Sequence, residues 1–210
     1  TFGLLQNNTA VIIGAMVVAP LFTPAVALGL AIAHGDLGIL RVALESMLKG
    51  VFVALVLSFL IGAAVPLRTI TPEMLFRTQP GLLDLGVALV AGVAGAYAAS
   101  RKEVSSSLAG VAIAATLVPP LEVAGLSVAW GEWELAVGAS LLFAVNLAAL
   151  ALSGAVMFLL VGFRPNPRHH GEERLRWGLI LGLLAVLIVT VPLALVSQRS
   201  LRLFRAERTL

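Results

Sequence analysis

Gly14–Asp36 reads GAMVVAPLFTPAVALGLAIAHGD, and 96 positions later Gly110–Glu132 reads GVAIAATLVPPLEVAGLSVAWGE, without a gap. Gly14, Ala19, Leu21, Pro24, Gly29, Leu30, Ala33 and Gly35 meet the same residue types at Gly110, Ala115, Leu117, Pro120, Gly125, Leu126, Ala129 and Gly131. Chance in a chain this rich in Ala, Leu and Val would give roughly two or three identities, so the stretch is read as an internal repeat. Asp36 against Glu132 extends the match conservatively. Both copies are apolar, long enough to cross a bilayer, and carry prolines near their middle. Pro-interrupted hydrophobic segments at matching places in two halves are a sequence pointer to a transporter's central site.

Composition agrees with a membrane location. The 210 residues are 60% hydrophobic and 12% charged, with mean hydropathy +1.03, far more apolar than a soluble domain. Arg clusters in short loops and after the last apolar segment, which fits anionic headgroups and membrane orientation in place of nucleic acid. The absence of cysteine excludes disulfides, thiolate metal sites and a Cys nucleophile. The first residue is Thr1, not Met, so a preceding part of the protein is expected and targeting is not read from this end.

Six hydrophobic segments follow from the sequence, at about 9–34, 44–66, 81–100, 106–130, 135–163 and 175–197. Each approaches or exceeds the roughly 30 Å hydrocarbon thickness at about 1.5 Å per residue. Lipid offers no partner to a free backbone amide, so all are predicted helical. The expected fold is an all-α membrane bundle of two three-helix repeats, residues 1–105 and 106–200, with a basic tail at 201–210. Three spans per repeat make the halves inverted. If 9–34 and 106–130 re-enter instead of crossing, the repeats become parallel. Six Arg on one side against eight Lys and Arg on the other leave orientation open.

The proline-bearing segments hold the candidate site. Pro20 and Pro24 cannot donate to Met16 and Pro20, and Pro119 and Pro120 release the carbonyls of Ala115 and Thr116. Free acceptors and a half-helix N-terminus near mid-membrane can hold ions when they line a wet cavity. Thr23 and Thr116 add hydroxyls. The plain alternative is that the prolines only kink helices whose neighbours satisfy the carbonyls. Glu122 is an ionisable group in an otherwise apolar segment, by default a functional hypothesis. It can carry a proton, ligate a cation, or cap its own half-helix. Its repeat partner is Val26, and Asn146 is the polar neighbour expected to bond across helices.

Asp84 is expected to serve the start of the third segment, with Arg77 placed to pair with it. Ala88, Gly92 and Ala96, with Gly95 on a neighbouring ridge, permit close approach to another helix, inside the subunit or across a homo-oligomer. His169 and His170 read as a solvated loop, and Arg199, Arg202, Arg205 and Arg208 as a headgroup-binding tail.

Several of these runs occur together in one prokaryotic membrane family. They are Gly14–Leu21, His34–Leu37, Arg77–Pro80 with Leu83–Leu85, Gly110–Ala114, Val118–Leu121 and Asn146. Over about residues 2–160 the chain resembles the family known as domain of unknown function 389. The resemblance implies a multi-pass protein of the prokaryotic cytoplasmic membrane, some of whose members carry an additional soluble N-terminal region. It implies no reaction and no substrate. Glu122 stands where a small residue is expected.

No hydrolase elbow, phosphate-binding loop or zinc-protease motif occurs, so no enzyme, cofactor or metal is expected. The expected partners are the lipid bilayer and a small solute or ion. The expected function is that of a secondary transporter or channel, with Met16, Pro20, Thr23, Pro24, Ala115, Thr116, Pro119, Pro120, Glu122 and Asn146 around its path. The alternative is a non-transporting scaffold or accessory subunit.

Overall fold

A computed structural model describes residues 1–16, 21–66, 68–79, 81–101, 106–163 and 180. Among them lie eight helices and no strand: α1 (Phe2–Leu5), α2 (Thr9–Met16), α3 (Phe22–His34), α4 (Leu37–Ala64), α5 (Pro72–Phe76), α6 (Leu82–Ser100), α7 (Ser106–Trp130) and α8 (Trp133–Val161). Four of these contain stretches long and apolar enough to cross a membrane: Leu37–Ala64, Leu82–Ser100, Ala109–Trp130 and Trp133–Val161. Pro20, the sixth hydrophobic segment except for Ile180, His169, His170 and the arginine tail lie outside the described residues.

Local chemistry fixes the helix ends. Asn8 accepts from the amides of Ala10 and Val11 at the start of α2. Asp36 does the same for α4, accepting from Gly38 at 2.7 Å and Ile39 at 3.2 Å. Asp84 accepts from the Gly81 amide at 3.0 Å and so closes the start of α6. It makes no ion pair with Arg77, which overturns that expected contact. The two hairpins α3–α4 and α7–α8 turn at Gly35 and Gly131, both with positive φ, 64° and 79°, where a Cβ would be strained.

Helix directions follow from which residues meet. Along α4 and α7, Gly125 sits on Leu55, Ser58 and Phe59, while Gly62 sits on Leu126 and Ala129, so the two run parallel. Along α3 and α8, Gly29 sits on Ala151, Gly154 and Ala155, and the His34 ring meets Phe163 edge-on at 5.8 Å. These two are parallel as well. In α6, Ala88 clusters with Ala149, and Gly92 sits on Leu150 and Ser153. Farther along, Ala96 clusters with Ala155 and Phe158. Helices α3, α6 and α8 therefore point one way, and α4 and α7 the other.

Two expectations are corrected, and the two ends of residues 9–34 are located. Residues 106–130 form one continuous helix with Pro119 and Pro120 inside it, not two half-helices and not a re-entrant hairpin. At 25 residues it extends roughly 37 Å at about 1.5 Å per residue. Residues 9–34 have ends at opposite ends of the bundle. Thr9 donates to Glu73, close after α4, whereas His34 lies against Phe163, just after α8. Finally, the ridge of Ala88, Gly92, Gly95 and Ala96 is buried inside the chain, against α8 and against Val26 and Ile113, so it is not a surface for homo-oligomer contact. Small residues there let helix backbones approach closely within the subunit.

Candidate functional site

The polar side chain that stands out in α7 is Glu122, and the structure turns it into a cleft. This cleft, of about 520 Å³, lies between α2, α3, α4 and α7, and Ala15, Pro24, Ser46, Lys49, Ser58 and Glu122 line it. Glu122 is set back, with its side chain 17% exposed, and its Oε2 receives the Thr1 nitrogen at 2.6 Å. The Thr1 hydroxyl lies 3.2 Å from that of Ser58. Since α7 is unbroken at this point, Glu122 does not cap a half-helix of its own, which removes that reading. Lys49 closes on Glu45 one turn earlier in α4, at 2.7 Å. The carboxylate therefore has the Thr1 nitrogen, hydroxyls and apolar surface around it, an arrangement in which a small cation or a proton could take the place of the nitrogen.

The other expected site residues divide. Pro24 lines this cleft and, with Thr23, a second one of about 540 Å³ that also takes in Gly38 and Ser46. Met16 ends α2 beside Ala15. Pro119 and Pro120 are fully buried in α7. Asn146 on α8 donates from Nδ2 to the Thr116 carbonyl at 2.9 Å, and the Thr116 hydroxyl donates to the Ile113 carbonyl at 2.8 Å. The acceptor that Pro120 frees is thus taken up by a neighbouring helix. Thr116 and Asn146 are buried and Ala115 is half-buried; none of the three lines the Glu122 cleft. The structure does not bring the described ones among these residues into one site.

Sequence reasoning missed the α4 wall. Ser46, Lys49, Val53, Leu57 and Ile61 recur at helical spacing and face the cleft together with Ser58. Its polar part, Ser46 and Lys49 three residues apart with Ser58 farther along an apolar helix, was the only signal in the sequence; Val53, Leu57 and Ile61 read like any lipid-facing stripe. Among the described residues, no three His, Asp or Glu side chains gather into a metal-holding group.

Residues 16–152 match the family model described as Domain of unknown function (DUF389). An uncharacterized protein of the archaeon Methanocaldococcus jannaschii is 31% identical over 184 residues, which is 88% of this chain and 57% of the relative. The chain thus spans little more than half the length of that relative. No solved structure matches it.

Proposed function

The chain belongs to the DUF389 family, and from that premise we propose that it is a multi-pass protein of the prokaryotic cytoplasmic membrane, built of two inverted repeats, that passes a small cation or proton along the Glu122 cleft. The reading assigns it no catalytic reaction, no cofactor and no nucleic-acid partner. One pair of contacts carries the repeat relation. Gly29 sits on Ala151, Gly154 and Ala155, and Gly125 sits on Leu55, Ser58 and Phe59. Every residue of the second set corresponds to one of the first at an offset of 96: 29 with 125, 55 with 151, 58 with 154 and 59 with 155. A contact that recurs with its partners exchanged is the signature of a two-fold relation. The corresponding helices α4 and α8 point in opposite directions, so the axis runs across the helices, in the membrane plane, as in inverted-repeat transporters.

The solute class follows from Glu122. A carboxylate within a span is expensive unless it has a role or a partner; here its oxygen meets the Thr1 nitrogen and it faces a cleft with the hydroxyls of Ser46 and Ser58 in its wall, which supports a cation or proton as the solute. The test is flux. Purified wild-type protein in proteoliposomes, loaded with a pH dye and given proton, sodium or potassium gradients, is expected to dissipate one of them. Glu122→Gln is expected to lower that flux at least tenfold while leaving the unfolding temperature unchanged. Equal flux in the variant removes Glu122 from the path.

A second reading is a non-transporting membrane scaffold. The Asn146–Thr116 bond and the unbroken α7 favour it, since both make the second repeat a solid support and not an open site. Wild-type protein that dissipates none of the three gradients would support it.

A further inference from the structure

We propose that the ion taken up by Glu122 is the proton, and that sodium and potassium are excluded because the cleft holds too few oxygens to replace their water. The proposal rests on the transport reading above and narrows its solute. Of the residues lining the cleft, Thr1, Ser46, Ser58 and Glu122 carry side-chain oxygens, Lys49 carries a nitrogen, and the rest are apolar. Ser46 and Ser58 stand 12 residues apart on α4, about 18 Å at about 1.5 Å per residue, so they do not share an ion. At Glu122 there remain its own carboxylate and the hydroxyls of Thr1 and Ser58, 3.2 Å from each other.

The backbone does not make up the difference. Carbonyls inside a helix are engaged by the amide four residues on. The Thr116 carbonyl, freed by Pro120, is held by Asn146, and neither Ala115 nor Thr116 lines the cleft. Among the described residues, three oxygen-bearing side chains therefore meet at one point. A metal cation gives up its water only where many oxygens replace it, as carbonyl rings do around potassium and about six or more ligands do around calcium. A cation that keeps its water gains only a screened attraction to one carboxylate.

The charges point the same way. From α4, Lys49 lines the cleft, while its partner Glu45 does not. The Thr1 nitrogen lies on Oε2 of Glu122. Helices α2 and α3 bring Ala15 and Pro24, and α7 adds only Val118, so no second acid is present to balance a metal ion. A proton needs one acceptor. Its uptake turns the Glu122 carboxylate into a neutral carboxyl, the form that apolar walls tolerate best. Its release restores the carboxylate, and nothing else is gained or lost.

The test is a titration of Glu122 itself. Wild-type protein in lipid nanodiscs is followed by infrared difference spectroscopy at the carbonyl band of a protonated carboxyl. The titration is run in choline, sodium and potassium chloride at equal ionic strength. The part of the band lost in Glu122→Gln belongs to Glu122. If that variant does not fold, Glu122→Asp, which keeps the carboxyl and moves the band, makes the assignment. The expected result is a Glu122 band with one midpoint in all three salts. A metal ion on the carboxylate competes with the proton, and at about tenfold its Kd it lowers the midpoint by about one pH unit. A midpoint lower in sodium or potassium than in choline overturns the proposal. So does a carboxylate that stays ionised wherever the protein is folded. The two failures are separable. A sodium-lowered midpoint with Glu122-dependent sodium flux keeps transport and sinks the proton. A salt-independent midpoint in a protein that dissipates no gradient keeps the proton on Glu122 and sinks transport.

Discussion

Asn146 donates its side-chain amide to the Thr116 carbonyl at 2.9 Å, the carbonyl whose helical donor is missing because residue 120 is proline. The bond joins α8 to α7 and lets α7 continue through a proline pair. Asn146→Ala leaves that buried acceptor without a partner. An orphaned buried group costs about 1–3 kcal/mol in soluble proteins, but interhelical bonds measured in membranes average only about 0.6 kcal/mol. The expected loss is about 1 kcal/mol, between the two. Pro120→Ala returns the missing N–H, so Asn146→Ala is expected to cost less in that background. A double-mutant cycle by thermal unfolding in detergent reads the coupling, and strictly additive losses would show that Asn146 does not serve the proline's carbonyl.

Glycine substitutions rank the helix seats. A Cβ on Gly125 would lie 2.6 Å from Ser58 Cβ and 2.8 Å from the Leu55 carbonyl oxygen, whereas one on Gly29 would meet nothing closer than 3.1 Å. Gly125→Ala is expected to destabilise by about 1–3 kcal/mol through overpacking, and Gly29→Ala by less. Gly86, also helical, has open space around its Cβ direction. Gly86→Ala is expected to stabilise by about 0.5–1 kcal/mol through helix propensity. Unfolding temperatures that fail to follow the order Gly125, Gly29, Gly86 would contradict these seats.

Most of the bundle was legible in the sequence because lipid-compatible helices are set by long apolar runs. Gly35-Asp36 and Gly131-Glu132 marked both hairpins. The fate of the prolines was not legible. Whether a proline pair breaks a helix depends on who takes the released carbonyl, and Asn146 does so from 30 residues away. The small-residue ridge of α6 showed that some helix comes close, but the spacing is the same for an internal and an external partner; only the packing on α8 decides. Glu122 was readable as a misplaced charge. Its surroundings were not, because the α4 stripe joins it only once α4 and α7 lie side by side.

Trp130 gives a separate probe of that α4–α7 contact. Its indole Nε1 donates to the Gly62 carbonyl at 3.0 Å in a buried setting. Gly62 stands in the last turn of α4, where carbonyls have no helical donor left, so the indole closes a helix end. Trp130→Phe keeps the aromatic bulk and deletes the donor. The expected loss is about 1 kcal/mol, read as a lower unfolding temperature. An unchanged temperature would mean that another group satisfies Gly62.

Asp36 and Glu132 occupy matching places before α4 and α8, yet only Asp36 caps. Its carboxylate accepts from Gly38 and Ile39, whereas Glu132 makes no side-chain cap bond and is exposed. The shorter side chain of Asp reaches back to the first-turn amides from a non-helical residue; the extra methylene of Glu overshoots them. Asp36→Ala is therefore expected to cost about 1 kcal/mol, while Glu132→Ala stays within about 0.5 kcal/mol of the parent, as exposed substitutions do. Glu132→Asp supplies the missing cap and is expected to raise the unfolding temperature. If the two alanine variants fall equally, the first turn of α4 does not depend on the Asp36 bonds.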